Sequence, residues 1–191
     1  MKLRYFVAII GFLTTTLIYS QDKQITLEEI WSGAFRTEGM QALHSMNNGT
    51  QYSVLNYDRQ NGVSTIDIYD YKTLKKVKTL VSSANLTDIR GFFDYSFSED
   101  ESKVLLTTNS IPVFRRSTLG EYYIYDIETE KLTKVSDNLV QEPTFSPDAD
   151  KIAYGFENNL YVKDLKSGDV TQITFDGEKN KIINGITDWV Y

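Results

Sequence analysis

Two adjacent guanidiniums are the residues in this chain best suited to recognition chemistry. Arg115 and Arg116 sit in Ser110-Ile111-Pro112-Val113-Phe114-Arg115-Arg116-Ser117, a loop between two strongly strand-like runs. A guanidinium held on a loop is a planar fork of donors that fits a carbonyl or a carboxylate. Spacing alone leaves two roles open for it, a surface ion pair and a binding contact. Nothing else assembles into a catalytic set. The chain has no Cys, a single His and no Gly-x-Ser-x-Gly, so it offers no nucleophile elbow and no thiol nucleophile. His44, beside a strand, has neither the partner ligands of a metal site nor the nucleophile and orienter that a general base needs. Its expected role is structural. The acidic clusters Glu28-Glu29 and Glu99-Asp100-Glu101 fall at a helix start and in a turn, where solvated carboxylates are the default. No cofactor and no metal is implied.

The elements that must position these residues form a repeat. His44 to Leu55, Tyr95 to Leu106 and Thr144 to Tyr154 each run from a short strand through a polar turn into a second, apolar-rich strand. Each is followed by a partner, Ile66 to Asp70, Tyr122 to Asp126 and Leu160 to Asp164. A fourth alternating run then closes the unit: Val77 to Leu80, Leu132 to Val135 and Val170 to Ile173. Four short strands recurring at roughly 50 residues is the blade period of a β-propeller. The abundance of Tyr, Phe, Val, Ile and Thr favours strands in the same way. Phe145-Ser146-Pro147-Asp148 is a turn device, with Pro147 presetting φ and Asp148 free to bond its own backbone. The predicted fold is all-β: an incomplete propeller of about three to four four-stranded antiparallel blades, preceded by a short helix. Thr26-Leu27-Glu28-Glu29 reads as a capping box for that helix and Gly33 as its left-handed stop. Ile30 and Trp31 are expected to dock it on the first blade. Lys75-Lys76-Val77-Lys78 reads as a solvated blade edge.

The first twenty residues read as a signal peptide. Lys2 and Arg4 make a basic start, Phe6 to Ile18 an apolar stretch, and Ser20 a small residue before the expected cleavage. The apolar stretch is shorter than the roughly 20 residues that span a bilayer. The expected domains are therefore residues 1–20, removed on export, and residues 21–191, the front part of a propeller that is secreted or periplasmic and free of the membrane after cleavage. Removing Lys2 and Arg4 leaves 18 of the 20 basic side chains against 26 acidic ones, a formal charge of −8. Such a surface repels phosphate backbones, so nucleic acid is not an expected partner. With no Cys there is no disulfide framework, and stability must come from the core. The final run, Ile182 to Tyr191, reads as the start of another unit, so the chain is expected to be part of a longer protein.

The residues closing the chain carry a more specific signal. Asn184-Gly185-Ile186-Thr187-Asp188-Trp189-Val190-Tyr191 resembles the segment that immediately precedes the paired-glutamate motif in the dipeptidyl peptidase IV family of serine exopeptidases. The resemblance extends over the Thr26 to Glu29 helix start, Asp94 to Ser98, Phe114-Arg115, Tyr122 to Asp126, Lys151 to Tyr154 and Asn159 to Lys163. It implies an eight-bladed propeller capping an α/β-hydrolase domain, with peptides entering a cavity between the two. It also implies paired Glu residues holding the peptide's free amino terminus and an Arg contacting the carbonyl beside it. Counted back from Tyr122 to Asp126, that Arg is Arg115. The paired Glu, the remaining blades and the hydrolase domain are not in these 191 residues. The expectation is a fragment, inactive by itself, of an enzyme that releases Xaa-Pro and Xaa-Ala dipeptides from peptide N-termini and dimerises when full length. The alternative is a non-catalytic module for binding or scaffolding, since the Ser-Pro-Asp hairpin also resembles TolB-like propeller repeats.

Overall fold

A computed structural model describes residues 24–37, 39, 41–113 and 117–186. The expected signal peptide lies outside them, as do Phe114, Arg115 and Arg116, and Thr187 to Tyr191 of the C-terminal string. The chain divides into two units, residues 1–40 and 41–191.

Among its described residues the first unit holds one helix, α1 (Leu27–Ser32). Its capping box forms as expected: the Thr26 hydroxyl accepts from the Glu29 amide, and the Glu29 carboxylate accepts from the Thr26 amide. Gly33, at φ 77°, ends it in the left-handed conformation. Ile30 and Trp31 are not buried as expected; they are 55% and 86% exposed. A helix of six residues has too few turns to present a continuous apolar stripe.

The described residues of the second unit form three four-stranded sheets. The first contains β1 (Leu43–Ser45), β2 (Gln51–Asp58), β3 (Val63–Asp70) and β4 (Lys76–Ser82). A single 3₁₀ turn, Ser83–Asn85, follows it. The second sheet contains β5 (Asp94–Phe97), β6 (Lys103–Pro112), β7 (Thr118–Asp126) and β8 (Leu132–Lys134). The third contains β9 (Gln141–Phe145), β10 (Lys151–Phe156), β11 (Asn159–Asp164) and β12 (Val170–Gln172). In each the strand order follows the chain and every pairing is antiparallel. These are three blades of an incomplete propeller.

The turns repeat as faithfully as the strands. Between the first and second strands of each blade, one residue adopts a left-handed φ: Gly49 at 67°, Glu101 at 56° and Ala149 at 55°. Each donates its amide to the carbonyl three residues back, at Met46, Ser98 and Ser146, over 2.9 Å. Between the third and fourth strands an aspartate caps the turn. Asp70 accepts from the Thr73 amide, Asp126 from Thr129 and Asp164 from Ser167, at 2.7, 2.9 and 2.9 Å.

The period of two along the strands decides where the core sits. Val104 and Leu106 of β6, with Tyr123 and Tyr125 of β7, face the first sheet and pack with Ile66, Val81 and Tyr95. Leu105 and Ile124, one residue out of step, face the third sheet and pack with Ile152 and Tyr154. The middle blade is buried on both sides, which is why Val104-Leu105-Leu106 reads as an unbroken apolar run. Full burial of a side chain such as Ile66 or Leu106 contributes about 1.5–3 kcal/mol.

One charged group lies inside the first blade. Asp67 accepts from Asn56 (2.9 Å), Thr65 (3.2 Å) and Thr79 (2.7 Å), and pairs with Lys76 at 2.8 Å. Burial works to raise its pKa, but the hydrogen bonds from Lys76, Thr79 and Asn56 outweigh burial and hold the group lowered. Lys75 to Lys78 are exposed at the edge strand, as expected, and Lys76 adds an ion pair to Asp67 from there. From β4 its ammonium reaches across the sheet and sets an opposite charge against the buried carboxylate, alongside the neutral donors. The expected start of a further unit at Ile182 is, in its described part, a single bridge between Glu178 and Ile182.

Candidate functional site

The hairpin that carries Arg115 is the longest strand pair among the described residues, ten residues in β6 and nine in β7. The sequence suggested a loop over residues 110–117. The strands instead continue into it, with Ser110 opposite Gly120 and Pro112 opposite Thr118. Pro112 is tolerated because it is the last residue of its strand, where its missing amide breaks little of the ladder. Beyond that pair the Val113 amide donates to the Ser117 carbonyl over 2.9 Å. Arg115 and Arg116 lie outside the described residues, between these two fixed ends.

The hairpin is braced from both neighbours. The Gln141 side-chain amide on β9 donates to the Ser117 hydroxyl at 2.6 Å. Gly120 and Val140 exchange both backbone hydrogen bonds, at 2.8 and 2.9 Å. On the outer side Lys134 pairs with Glu121 at 2.9 Å, and Thr108 donates to the same carboxylate at 2.8 Å. The Lys134 ammonium, aided by Thr108, holds the Glu121 carboxyl below its ordinary range.

Beside the hairpin is a recess of about 320 Å³ whose wall includes Asp94 on β5, Glu142 on β9, and Ser110, Thr118 and Tyr122 of the hairpin. Burial pushes the Tyr122 phenol up; a hydrogen bond from Thr118 opposes this, and the charges of Glu142 and Asp94 add to it. The phenol therefore stays protonated and able to donate. Its ring occupies the space over Gly120: a Cβ there would come within 2.5 Å of the ring. Glu142 is held at φ 49°, an uncommon conformation for a non-glycine residue. Two exposed carboxylates and a phenolic donor suit a ligand that carries an ammonium group and a carbonyl.

Of the sequence-predicted residues, His44 packs its ring 4.8 Å from that of Tyr95. No cluster of three or more His, Cys, Asp or Glu able to hold a metal occurs among the described residues. Sequence reasoning missed Asp94, Glu142 and Tyr122 as a group. Tyr122 and Asp94 were visible only as strand residues, and no local pattern marks Glu142.

The sequence profile described as "Dipeptidyl peptidase IV (DPP IV) N-terminal region" matches residues 98–191, a span that includes the hairpin and the third blade. The chain is 29% identical over 171 residues to prolyl endopeptidase FAP of Homo sapiens, covering 88% of this chain and 21% of that protein. It is 41% identical over 101 residues to dipeptidyl peptidase 4 of Felis catus, covering 51% of this chain and 13% of that protein. The crystal structure of Porphyromonas gingivalis dipeptidyl peptidase 4 superposes with a TM-score of 0.76 at 32% identity, over 88% of this chain and 24% of that one. The chain thus spans about a quarter or less of the length of each. With its propeller blades, its braced hairpin and these matches, the chain belongs to the dipeptidyl peptidase IV family, as part of that family's N-terminal region.

Proposed function

We propose that this chain is the substrate-orienting propeller portion of a serine-type dipeptidyl aminopeptidase, secreted or periplasmic after removal of residues 1–20. The whole protein, on this reading, releases dipeptides with Pro or Ala second from peptide N-termini and works as a homodimer. The observation that carries the proposal is the match of residues 98–191 to the N-terminal region of dipeptidyl peptidase IV. The names of the relatives, a prolyl endopeptidase and dipeptidyl peptidases, point the same way.

In this reading Arg115, at the tip of the β6–β7 hairpin, donates to the peptide carbonyl beside the free amino terminus. Asp94 and Glu142 add a negative field that favours an ammonium nearby. The hairpin's bracing limits the reorganisation needed when a peptide arrives, which is how a rigid arm contributes to orientation. Bond cleavage is assigned to the remainder of the whole protein, and the 191-residue chain turns over nothing by itself. The test is hydrolysis of an aminoacyl-prolyl chromogenic substrate by the whole protein, with the substrate's amino terminus free or acetylated. Turnover of the free form alone is expected. Equal turnover of both would sink the reading.

A further inference from the structure

A second cavity, of about 870 Å³, opens where the first and second blades meet. Arg59 reaches it from the β2–β3 turn and Arg90 from the connector between β4 and β5; Tyr57 and Phe93 flank them, and Thr108 and Glu121 contribute from the β6–β7 hairpin. Three arginines fall among the described residues, and two of them line this one space. Neither guanidinium joins an ion pair or hydrogen bond among the described residues. Of the two carboxylates present, Glu121 is already matched by Lys134 and Thr108. That leaves two guanidiniums against one carboxylate, Asp88. On a chain of formal charge −6, this is a local reversal of sign.

Both arginines stand on backbone that is held in place. The Asp58 carboxylate accepts from the Gln60 amide at 2.9 Å and the Asn61 side-chain amide at 2.7 Å, fixing the turn around Arg59. Arg90 is flanked by buried Ile89 and Phe92, and the Phe92 amide donates to the Ser64 hydroxyl at 3.2 Å. The Tyr57 and Phe93 side chains are 62% and 53% exposed beside them. Paired donor forks next to open aromatic faces match carboxylates alternating with apolar side chains.

We propose that this cavity binds an acidic peptide segment, its carboxylates on Arg59 and Arg90 and its apolar side chains on Tyr57 and Phe93. A free phosphate would satisfy the arginines and leave both rings uncovered. The proposal does not depend on Arg115.

The test is fluorescence anisotropy of a fluorescein-labelled Glu-Phe-Glu-Phe amide, with the isosteric Gln-Phe-Gln-Phe amide beside it, on both the 191-residue chain and the whole protein. Saturable binding of the acidic peptide is expected on both, weakening with ionic strength. Arg59→Gln and Arg90→Gln should each weaken it by roughly threefold to tenfold, as charge-assisted contacts in a partly screened site do. The double variant should lose more than either. Lys78→Gln, outside the cavity, should leave binding unchanged, and circular dichroism should confirm that every variant is folded. Equal binding of the two peptides, indifference to both arginine variants, or no binding would overturn the proposal. Displacement by inorganic phosphate at the same concentration would reduce the cavity to a simple anion site. Binding to the chain but not to the whole protein would assign the cavity to another segment of the same polypeptide.

Discussion

The side-chain amide of Gln141 donates to the hydroxyl of Ser117 across 2.6 Å. That single bond ties the first strand of the third blade to the residue that directly follows Arg115 and Arg116. Gln141→Leu removes it while keeping comparable bulk. The expected loss is about 0.5–1.5 kcal/mol, seen as a melting temperature lower by a few degrees. If the bond also sets the hairpin's aim, kcat/KM of the whole protein should fall more than stability does. An unchanged melt and unchanged kinetics would mean that the Gly120–Val140 bonds suffice.

Arg115→Ala tests the proposed carbonyl contact directly. A charge-assisted hydrogen bond contributes on the order of 1.5–3 kcal/mol, so kcat/KM of the whole protein should drop by roughly tenfold to a hundredfold. Arg116→Ala should cost less, because only Arg115 has the matching spacing to Tyr122 to Asp126. Melting temperature should barely move for either. A larger defect at Arg116 would reverse the assignment.

Leu74 occupies the left-handed position of the first blade's last turn, at φ 55°, where the third blade has Gly168 at 81°. Its side chain is 69% exposed, so replacing it costs little packing. The left-handed conformation costs a non-glycine residue about 1–2 kcal/mol, and the added freedom of glycine in the unfolded chain returns about 0.5–1 of that. Leu74→Gly should therefore stabilise by roughly 0.5–1 kcal/mol, and Gly168→Ala should destabilise. Chemical denaturation of the two variants, with opposite signs expected, checks this.

The turn aspartates predict how the fold responds to acid. Hydrogen bonds from Ser98 and Ser102 hold the Asp100 carboxyl at about 2, against an ordinary 3.8. Thr73 lowers Asp70, Thr129 lowers Asp126, Ser146 lowers Asp148, and Ser167 with Lys166 lowers Asp164. Each group binds its proton less readily folded than unfolded. Their stabilisation is thus complete above the ordinary value and disappears as pH falls through the depressed one. Melting temperature should stay level from pH 7 to 5 and decline between about pH 4 and about 2. A rise over that lower range would contradict the assignment, and Asp100→Ala should make the decline shallower.

The blades were legible because their signals are local. Alternation along Ile66 to Asp70 and Tyr122 to Asp126, together with Asp at each strand end, marks strand and turn within ten residues. What was hidden depends on three dimensions. Lys76 finds Asp67 only once β3 and β4 have paired, and Glu142 faces Tyr122 only once two blades have packed. The extension of the hairpin through Pro112 was masked by the proline itself, which ordinarily argues against a strand. Arg59 and Arg90, thirty-one positions apart, share a cavity for the same reason.

The two apolar slabs lie between sheets, and the connectors are part of them: Ile89 and Phe92 belong to the first slab, Val135 and Val140 to the second. The link from one blade to the next is therefore a wedge rather than a tether. Arg90 presents a basic side chain to solvent, yet a protease that must draw several residues of extended backbone into its cleft cannot take this segment without pulling Ile89 and Phe92 out of the core. Blades joined this way are poor units for excision or shuffling at their connectors. A cut there removes the mortar along with the seam.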